Sequence, residues 1–193
     1  MIRLILIFTF LIVNLSQLSL AKIASVIGNP NTEEIYFEVN KDTKNYPASL
    51  TKIMTLYIIF DEIKLGNLGL NDEIKFSKYA NLQQPSKLNI DINDTITVDE
   101  AIDALIVKSA NDVAVAVAEK ISGSEKKFVK KMNNYAKKLK LKNTNFANPH
   151  GLPNKSNLSS AYDMFLLTSW AAVDAERSLR PFPLLKLRFK ARL

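Results

Sequence analysis

The sequence predicts an α+β fold, and three observations carry that prediction. Two short β-patterned runs, residues 24–27 and Ile35–Val39, flank the turn formers Gly28-Asn29-Pro30-Asn31, which is the pattern of a strand pair. A helix apolar on nearly every side follows Pro47, and such a helix is buried within a core. Beyond residue 96 the apolar spacing becomes that of a helix pair and then of a lysine-rich amphipathic helix.

The elements follow in order. The first 21 residues read as an export signal: Arg3 gives a positive start, residues 4–13 an apolar core, and Ser19-Leu20-Ala21 a small-x-small cleavage site. That core is short for a bilayer span, and an uncleaved anchor is the alternative. The chain from Lys22 onward has the size of one ordinary domain, and the absence of cysteine is compatible with export. After the strand pair, the buried helix is expected to start at Ala48 or Ser49, because Pro47 suits a helix entrance, and to end near Gly66. Residues 67–94 read as irregular, with brief strands at 72–76 and 86–88. Thr97-x-x-Glu100 is a capping box that opens the next helix. Ser109-Ala110-Asn111 interrupts before Val113 to Ala118 resume a second apolar helix, and a further helix spans residues 125–141.

The formal charge of +7 raises a nucleic-acid reading, which its distribution weakens. Between residues 22 and 170 there are 19 lysines, no arginine and 17 acidic residues, so the excess lies mostly past Trp170. The lysines from Lys126 to Lys140 flank Phe128, Val129, Met132, Ala136 and Leu139, the solvated face of an amphipathic helix. No nucleic-acid partner is expected.

Two constellations carry chemistry. Ser49 and Lys52 stand three residues apart at the start of the buried helix, where i and i+3 share a face. A buried lysine must be paired or lose its proton, and a neutral amine beside a hydroxyl is a general base beside a nucleophile. The plainer alternative is an N-cap serine with a lysine reaching to water, and S-x-x-K recurs at Ser19 to Lys22 and Ser124 to Lys127. Ser109-Ala110-Asn111, the single S-x-N of the chain, is either a junction between buried helices or a second part of a site. His150 is the sole histidine; between Pro149 and Gly151 in a loop it reads as structural rather than as a base.

S-x-x-K followed by S-x-N makes two of the three motifs of penicillin-binding proteins and class A β-lactamases. Around them, Pro47-Ala48-Ser49-Leu50-Thr51-Lys52-Ile53-Met54-Thr55, Lys108-Ser109-Ala110-Asn111-Asp112-Val113-Ala114 and Asn143-Thr144-Asn145-Phe146-Ala147-Asn148-Pro149-His150-Gly151-Leu152-Pro153 closely resemble the low-molecular-weight serine D-alanyl-D-alanine carboxypeptidases. The resemblance implies a β-lactamase/transpeptidase-like α+β fold, a helical subdomain plus an antiparallel sheet that is expected to be incomplete here, its later strands missing. It implies an acyl-Ser49 intermediate that releases the terminal D-alanine of a peptidoglycan stem peptide, with Lys52 as base, Ser109 relaying a proton to the leaving amine, and Asn111 holding the peptide. It also implies β-lactam antibiotics as ligands, a role in cell wall biogenesis and cell shape, and no metal or organic cofactor. The expected compartment is the periplasm or the outer face of the bacterial cytoplasmic membrane, with peripheral inner-membrane contact possible. A β-lactamase is an alternative, disfavoured because Ala110 stands where those enzymes commonly have aspartate. A non-catalytic remnant that binds wall or membrane is the other.

Past Trp170 the resemblance stops and the composition changes: arginine appears four times, asparagine and isoleucine never. Residues 22–170 are therefore read as the N-terminal part of the catalytic domain. Residues 171–193 are read as an aberrant basic tail, from a frameshift or misjoined end, with a genuine membrane- or wall-binding tail as the other option. No Lys-Thr-Gly or Lys-Ser-Gly occurs, so the expectation is of a C-terminally truncated form, weakly active or inactive.

Overall fold

The computed structural model describes residues 23–178. The expected export segment, residues 1–21, lies outside the described residues, as does the tail from residue 179.

β1 (Ser25–Gly28) and β2 (Ile35–Val39) pair antiparallel, with Ser25 opposite Val39 and Ile27 opposite Phe37. The connecting turn closes where Asn29 N–H donates to the Glu34 carbonyl at 2.8 Å. The next helix does not begin at Ala48 or Ser49 as an α-helix. Ala48 has φ +48°, so the chain first makes a 3-10 turn, Ala48–Leu50, and α1 (Thr51–Lys64) follows. Leu50 N–H reaches the Pro47 carbonyl at 3.1 Å, the i to i−3 bond of that tighter turn.

Why α1 is apolar on nearly every side is clear from what flanks it. Ile59 and Phe60 join a core made with β3 (Glu73–Lys75), β4 (Thr95–Thr97), α3 (Val98–Asp103) and α4 (Asn111–Ser122). Met54, Tyr57 and Ile58 join a second core with α5 (Glu125–Lys138) and α6 (Ala161–Ser178). A helix running between two cores has no polar face to spare.

β3 lies within the strand expected at residues 72–76, and its partner is β4, with Ile74 opposite Ile96. The capping box is formed as expected: Thr97 Oγ1 accepts Glu100 N–H at 3.2 Å and Glu100 Oε2 accepts Thr97 N–H at 2.8 Å. The strand expected at residues 86–88 is not one. Leu88 and Asn89 donate their amides to the Asp112 carboxylate, and the Ser86 carbonyl accepts Asn111 N–H at 2.7 Å. That segment is stitched to a helix start, so its backbone groups are not free for a ladder. A short helix, α2 (Lys78–Asn81), precedes it, with Ser77 Oγ accepting Ala80 N–H at 3.0 Å.

After α3 the helix widens into a π turn, Ala104–Lys108, and breaks at Ser109, which sits at φ 55°, ψ 40°. α4 then starts at Asn111. α6 packs along α1 and also meets β1. It runs through Trp170, where the composition changes, without a break to Ser178. Among the described residues, no helix is long and apolar enough to cross a membrane.

Candidate active site

Lys52 enters from the first turn of α1 and is 3% exposed. Its ammonium donates to Asn111 Oδ1 at 2.7 Å and to the His150 carbonyl at 2.7 Å. Both acceptors are uncharged. Burial therefore acts on the charged form without an opposing carboxylate, and it lowers the amine from 10.5 to about 8.

Asn111 is 5% exposed and is itself held: its Nδ2 donates to the Gln84 carbonyl at 2.9 Å. That bond fixes which way the amide faces and leaves Oδ1 for Lys52. Asp112, the next residue, is fully buried with its carboxylate on the amides of Leu88, Asn89 and Val113 at 2.9–3.1 Å. The only acid in the motif is thus turned toward loop amides.

The third wall is the loop of residues 148–152. Asn148 Oδ1 accepts Gly151 N–H at 2.6 Å, its Nδ2 donates to the Leu152 carbonyl at 3.0 Å, and Thr55 Oγ1 donates to the Pro149 carbonyl at 2.7 Å. Thr55 and Lys52 are i and i+3 on α1, so consecutive loop carbonyls dock on one helix face. Gly151, at φ +90°, lies against the turn that carries Ser49: a Cβ there would sit 1.8 Å from the Ala48 carbonyl oxygen.

Ser49 lies exposed in the 3-10 turn, three residues before Lys52, and Ser109 is half-buried at the break before α4. Ala48 at φ +48° and Ser109 at φ 55° are both non-glycine residues in the left-handed region, a conformation that costs on the order of 1–3 kcal/mol and clusters at functional sites. A cavity of about 350 Å³ opens beside Ala48, bounded by Tyr46, Gly151, Leu152 and Pro153. Of the four residues singled out in the sequence, Lys52 and Asn111 meet directly, while Ser49 and Ser109 occupy the strained turns leading into their helices. Sequence reasoning did not give the His150 carbonyl a part, although Asn-Pro-His-Gly-Leu-Pro stood out as a motif. His150 is 5% exposed, its Nδ1 accepts Leu152 N–H at 3.0 Å, and burial followed by the charge of Lys52 lowers it from 6.5 to about 4. Among the described residues, no group of acids and histidines is placed to hold a metal ion.

Comparison with known proteins accords with this geometry. Residues 13–181 match the peptidase family described as D-alanyl-D-alanine carboxypeptidase. The chain belongs to that family. It is 38% identical over 152 residues to the D-alanyl-D-alanine carboxypeptidase DacF of Bacillus subtilis, covering 79% of this chain and 39% of that protein. To DacA of Haemophilus influenzae it is 39% identical, covering 74% of this chain and 37% of the relative. The crystal structure of the carboxypeptidase DacD from Francisella tularensis superposes with a TM-score of 0.75 at 36% identity, over 86% of this chain and 40% of the other. Penicillin binding protein 5 from H. influenzae gives 0.73 at 36% identity, over 84% and 46%. The chain spans about two fifths of the length of the curated relatives it matches. The family resemblance read from the sequence and the α+β, transpeptidase-like fold both hold, and the family match extends past Trp170, to residue 181.

Proposed function

We propose that this carboxypeptidase-family chain carries the nucleophile and base of a serine D-alanyl-D-alanine carboxypeptidase site. One observation supports the reading above others: a buried lysine, low in pKa and held only by neutral acceptors, follows a serine by one helical turn. Ser49 Oγ attacks the carbonyl carbon between the last two D-alanines of a peptidoglycan stem peptide, and its proton passes to the Lys52 amine. The C–N bond breaks as the Lys52 ammonium returns that proton, relayed through Ser109, to the departing D-alanine amine, and the acyl group remains on Ser49 as an ester while Lys52 is again neutral. Asn111 orients Lys52 and meets the peptide. Water then attacks the ester, with its proton taken by the same base. The Ser49 amide, at a helix entrance, is one oxyanion donor. A β-lactam presents its strained amide to the same serine and is held as the acyl-enzyme.

The protein is exported in this reading and acts in wall biogenesis in the periplasm or at the outer face of the cytoplasmic membrane. Mass spectrometry of envelope protein should find Lys22 at the N-terminus, and a retained Met1 would make the segment an anchor. The chemical test is labelling with a fluorescent penicillin, followed by peptide mapping. An adduct on Ser49 is expected, with Ser49→Ala or Lys52→Ala lowering the rate by on the order of 10⁶ because nucleophile and base act as a unit. An adduct elsewhere, or one that survives Ser49→Ala, refutes the assignment.

A further inference from the structure

We propose that Asn148 is a positioning residue for the Lys52 base, because it holds the peptide whose carbonyl accepts from the Lys52 amine. The inference rests on the functional reading above, and it concerns a residue outside both the Ser49–Lys52 pair and the Ser109–Asn111 motif.

The contact runs through one rigid group. The His150 carbonyl and the Gly151 N–H belong to a single trans peptide, which is planar, so the two point in opposite directions. Lys52 Nζ donates to the carbonyl at 2.7 Å, and the Gly151 N–H donates to Asn148 Oδ1 at 2.6 Å. Any rotation of this peptide about the line between its Cα atoms swings both ends at once. An acceptor that fixes the N–H therefore also aims the carbonyl. Gly151, at φ +90° and without a Cβ, puts no steric limit of its own on that rotation, so the hold has to come from outside the residue.

Neighbouring peptides of the loop have other partners, which isolates the part played by Asn148. Thr55 Oγ1 donates to the Pro149 carbonyl at 2.7 Å, and His150 Nδ1 accepts Leu152 N–H at 3.0 Å. Neither bond touches the His150–Gly151 peptide, whose hydrogen-bond partners among the described residues are Asn148 and Lys52. Asn148 is itself fixed. It is buried, and its Nδ2 donates to the Leu152 carbonyl at 3.0 Å, which leaves Oδ1 turned to Gly151. An asparagine supplies this acceptor without a charge. A carboxylate at the same place would take the Gly151 N–H equally well, yet, one peptide away from Lys52, it would favour the ammonium.

The titratable groups on the Asn148 side of the loop are Tyr79, Glu125, Lys126 and the His150 imidazole, which line one cleft with it. On the Lys52 side, Asn111 does not titrate, and the Asp112 carboxylate lies on the amides of Leu88, Asn89 and Val113. None of these groups hydrogen-bonds to the His150–Gly151 peptide. Losing the carbonyl acceptor disfavours the ammonium and lowers the Lys52 pKa. It also frees the amine to move, and a misplacement of about 1 Å costs on the order of 10² in rate. The two consequences oppose each other in the rate. A fall of one pH unit from about 8 would raise the share of free amine at pH 7 about fivefold, so slower acylation at a lower titration point reports a misplaced base.

The test uses the full chain with ¹³Cε-labelled lysine. The Lys52 signal, assigned with Lys52→Arg, is titrated by NMR in the wild type and in Asn148→Ala, and penicillin acylation is timed in parallel. In Asn148→Ala the titration should move down by about one pH unit, the worth of one hydrogen bond to a charged group, while acylation slows by at least about tenfold. Asn148→Asp keeps an acceptor for Gly151 N–H and adds a negative charge, so its Lys52 titration should rise. Asn133→Ala is the control for general loosening of the loop. Asn133 of α5 brackets Phe146, just upstream of Asn148, donating to its carbonyl at 2.8 Å and accepting its N–H at 2.9 Å, and it does not touch the His150–Gly151 peptide. That variant should lose melting temperature with the Lys52 titration in place and acylation within about twofold. A Lys52 titration that is unmoved or raised in Asn148→Ala overturns the proposal, whatever happens to stability. So does a fall in Asn148→Asp, or an Asn133→Ala protein that moves Lys52 as far as Asn148→Ala does. If Asn148→Ala fails to fold, Asn148→Leu, which fills nearly the same volume without an acceptor, carries the same test, and an unmoved Lys52 overturns the proposal there too. The titration needs no turnover, so it judges the positioning of Lys52 even if Ser49 takes no penicillin, a result that would defeat the functional reading instead.

Discussion

Gly151→Ala should damage both stability and reactivity, because Gly151 is where the loop meets the turn that carries Ser49, the proposed nucleophile. At φ +90° any L side chain is strained, and the added Cβ would lie 1.8 Å from the Ala48 carbonyl oxygen, 2.4 Å from its carbon and 3.1 Å from the Ser49 nitrogen. Bringing the first contact from 1.8 Å to the 3.0 Å below which real Cβ contacts essentially never occur requires a separation of about 1.2 Å. Neither side yields easily. The loop is tied through the Asn148 amide, the Pro149 and His150 carbonyls and Gly151 N–H. The turn carries buried Pro47 and the already strained Ala48. The left-handed conformation costs about 1–2 kcal/mol and overpacking about 1–3 kcal/mol, giving roughly 2–5 kcal/mol together. If the fold survives by shifting Ser49, a movement of about 1 Å costs on the order of 10² in rate. The assay is a urea denaturation midpoint together with penicillin acylation normalised to folded protein. Gly123→Ala is the control: φ is +75° but nothing lies within 4 Å of its Cβ, so only the backbone strain of about 1–2 kcal/mol should appear, with acylation unchanged. A Gly151→Ala protein with the stability of Gly123→Ala and full acylation would show that loop and turn do not confront each other as described.

Three further outcomes follow from buried groups. Asp112→Ala removes a fully buried carboxylate that accepts from three amides, and should cost about 3 kcal/mol or more by denaturation, with hydrogen-exchange protection lost at Leu88 and Asn89; retained protection would mean that the 86–89 segment is held by other contacts. Asn111→Ala should slow acylation yet leave Ser49 able to react, since it removes one of two Lys52 acceptors, and a fully active variant would take Asn111 out of the site. For His150 the folded pKa, about 4, lies below the ordinary 6.5, so the unfolded chain takes up the proton first. Stability should therefore fall as pH drops from about 6.5 to about 4, by about 3 kcal/mol in all. His150→Gln should lose that stretch of pH dependence, and an identical profile in the variant would show that the imidazole is not buried neutral.

The parts legible in the sequence were those with local causes. Alternation and turn residues gave β1 and β2, Thr97 and Glu100 gave a helix start, and the all-apolar sequence of α1 gave its burial. The burial of Lys52 was legible because it lies in the first turn of that helix. What was not legible depended on contacts distant in sequence. Residues 86–88 look like a strand until Asp112, 24 residues from Leu88, takes the amides of Leu88 and Asn89. The left-handed residues Ala48 and Ser109 carry no glycine to announce them, since the tertiary context imposes that conformation. His150 was read as structural from its neighbours, and its imidazole is indeed held in a loop. Its contribution to the site is a backbone carbonyl, to which residue type is blind.

That last point bears on the role proposed for Lys52. Two neutral acceptors, one from a side chain and one from the backbone, hold Lys52 in place while its pKa stays near 8. An amine of pKa 8 is about one tenth unprotonated at pH 7, against roughly 3 parts in 10⁴ at 10.5. The environment thus raises the population of competent base about 300-fold before any geometry is counted, equivalent to about 3 kcal/mol. A carboxylate in place of either acceptor would hold the amine as firmly and forfeit that gain, because an opposite charge favours the ammonium. The acid adjacent to the motif, Asp112, has its carboxylate on three backbone amides instead of on Lys52. The two acceptors of Lys52 are thus both neutral, and burial keeps the amine near 8, which is what the proposed role as a base requires.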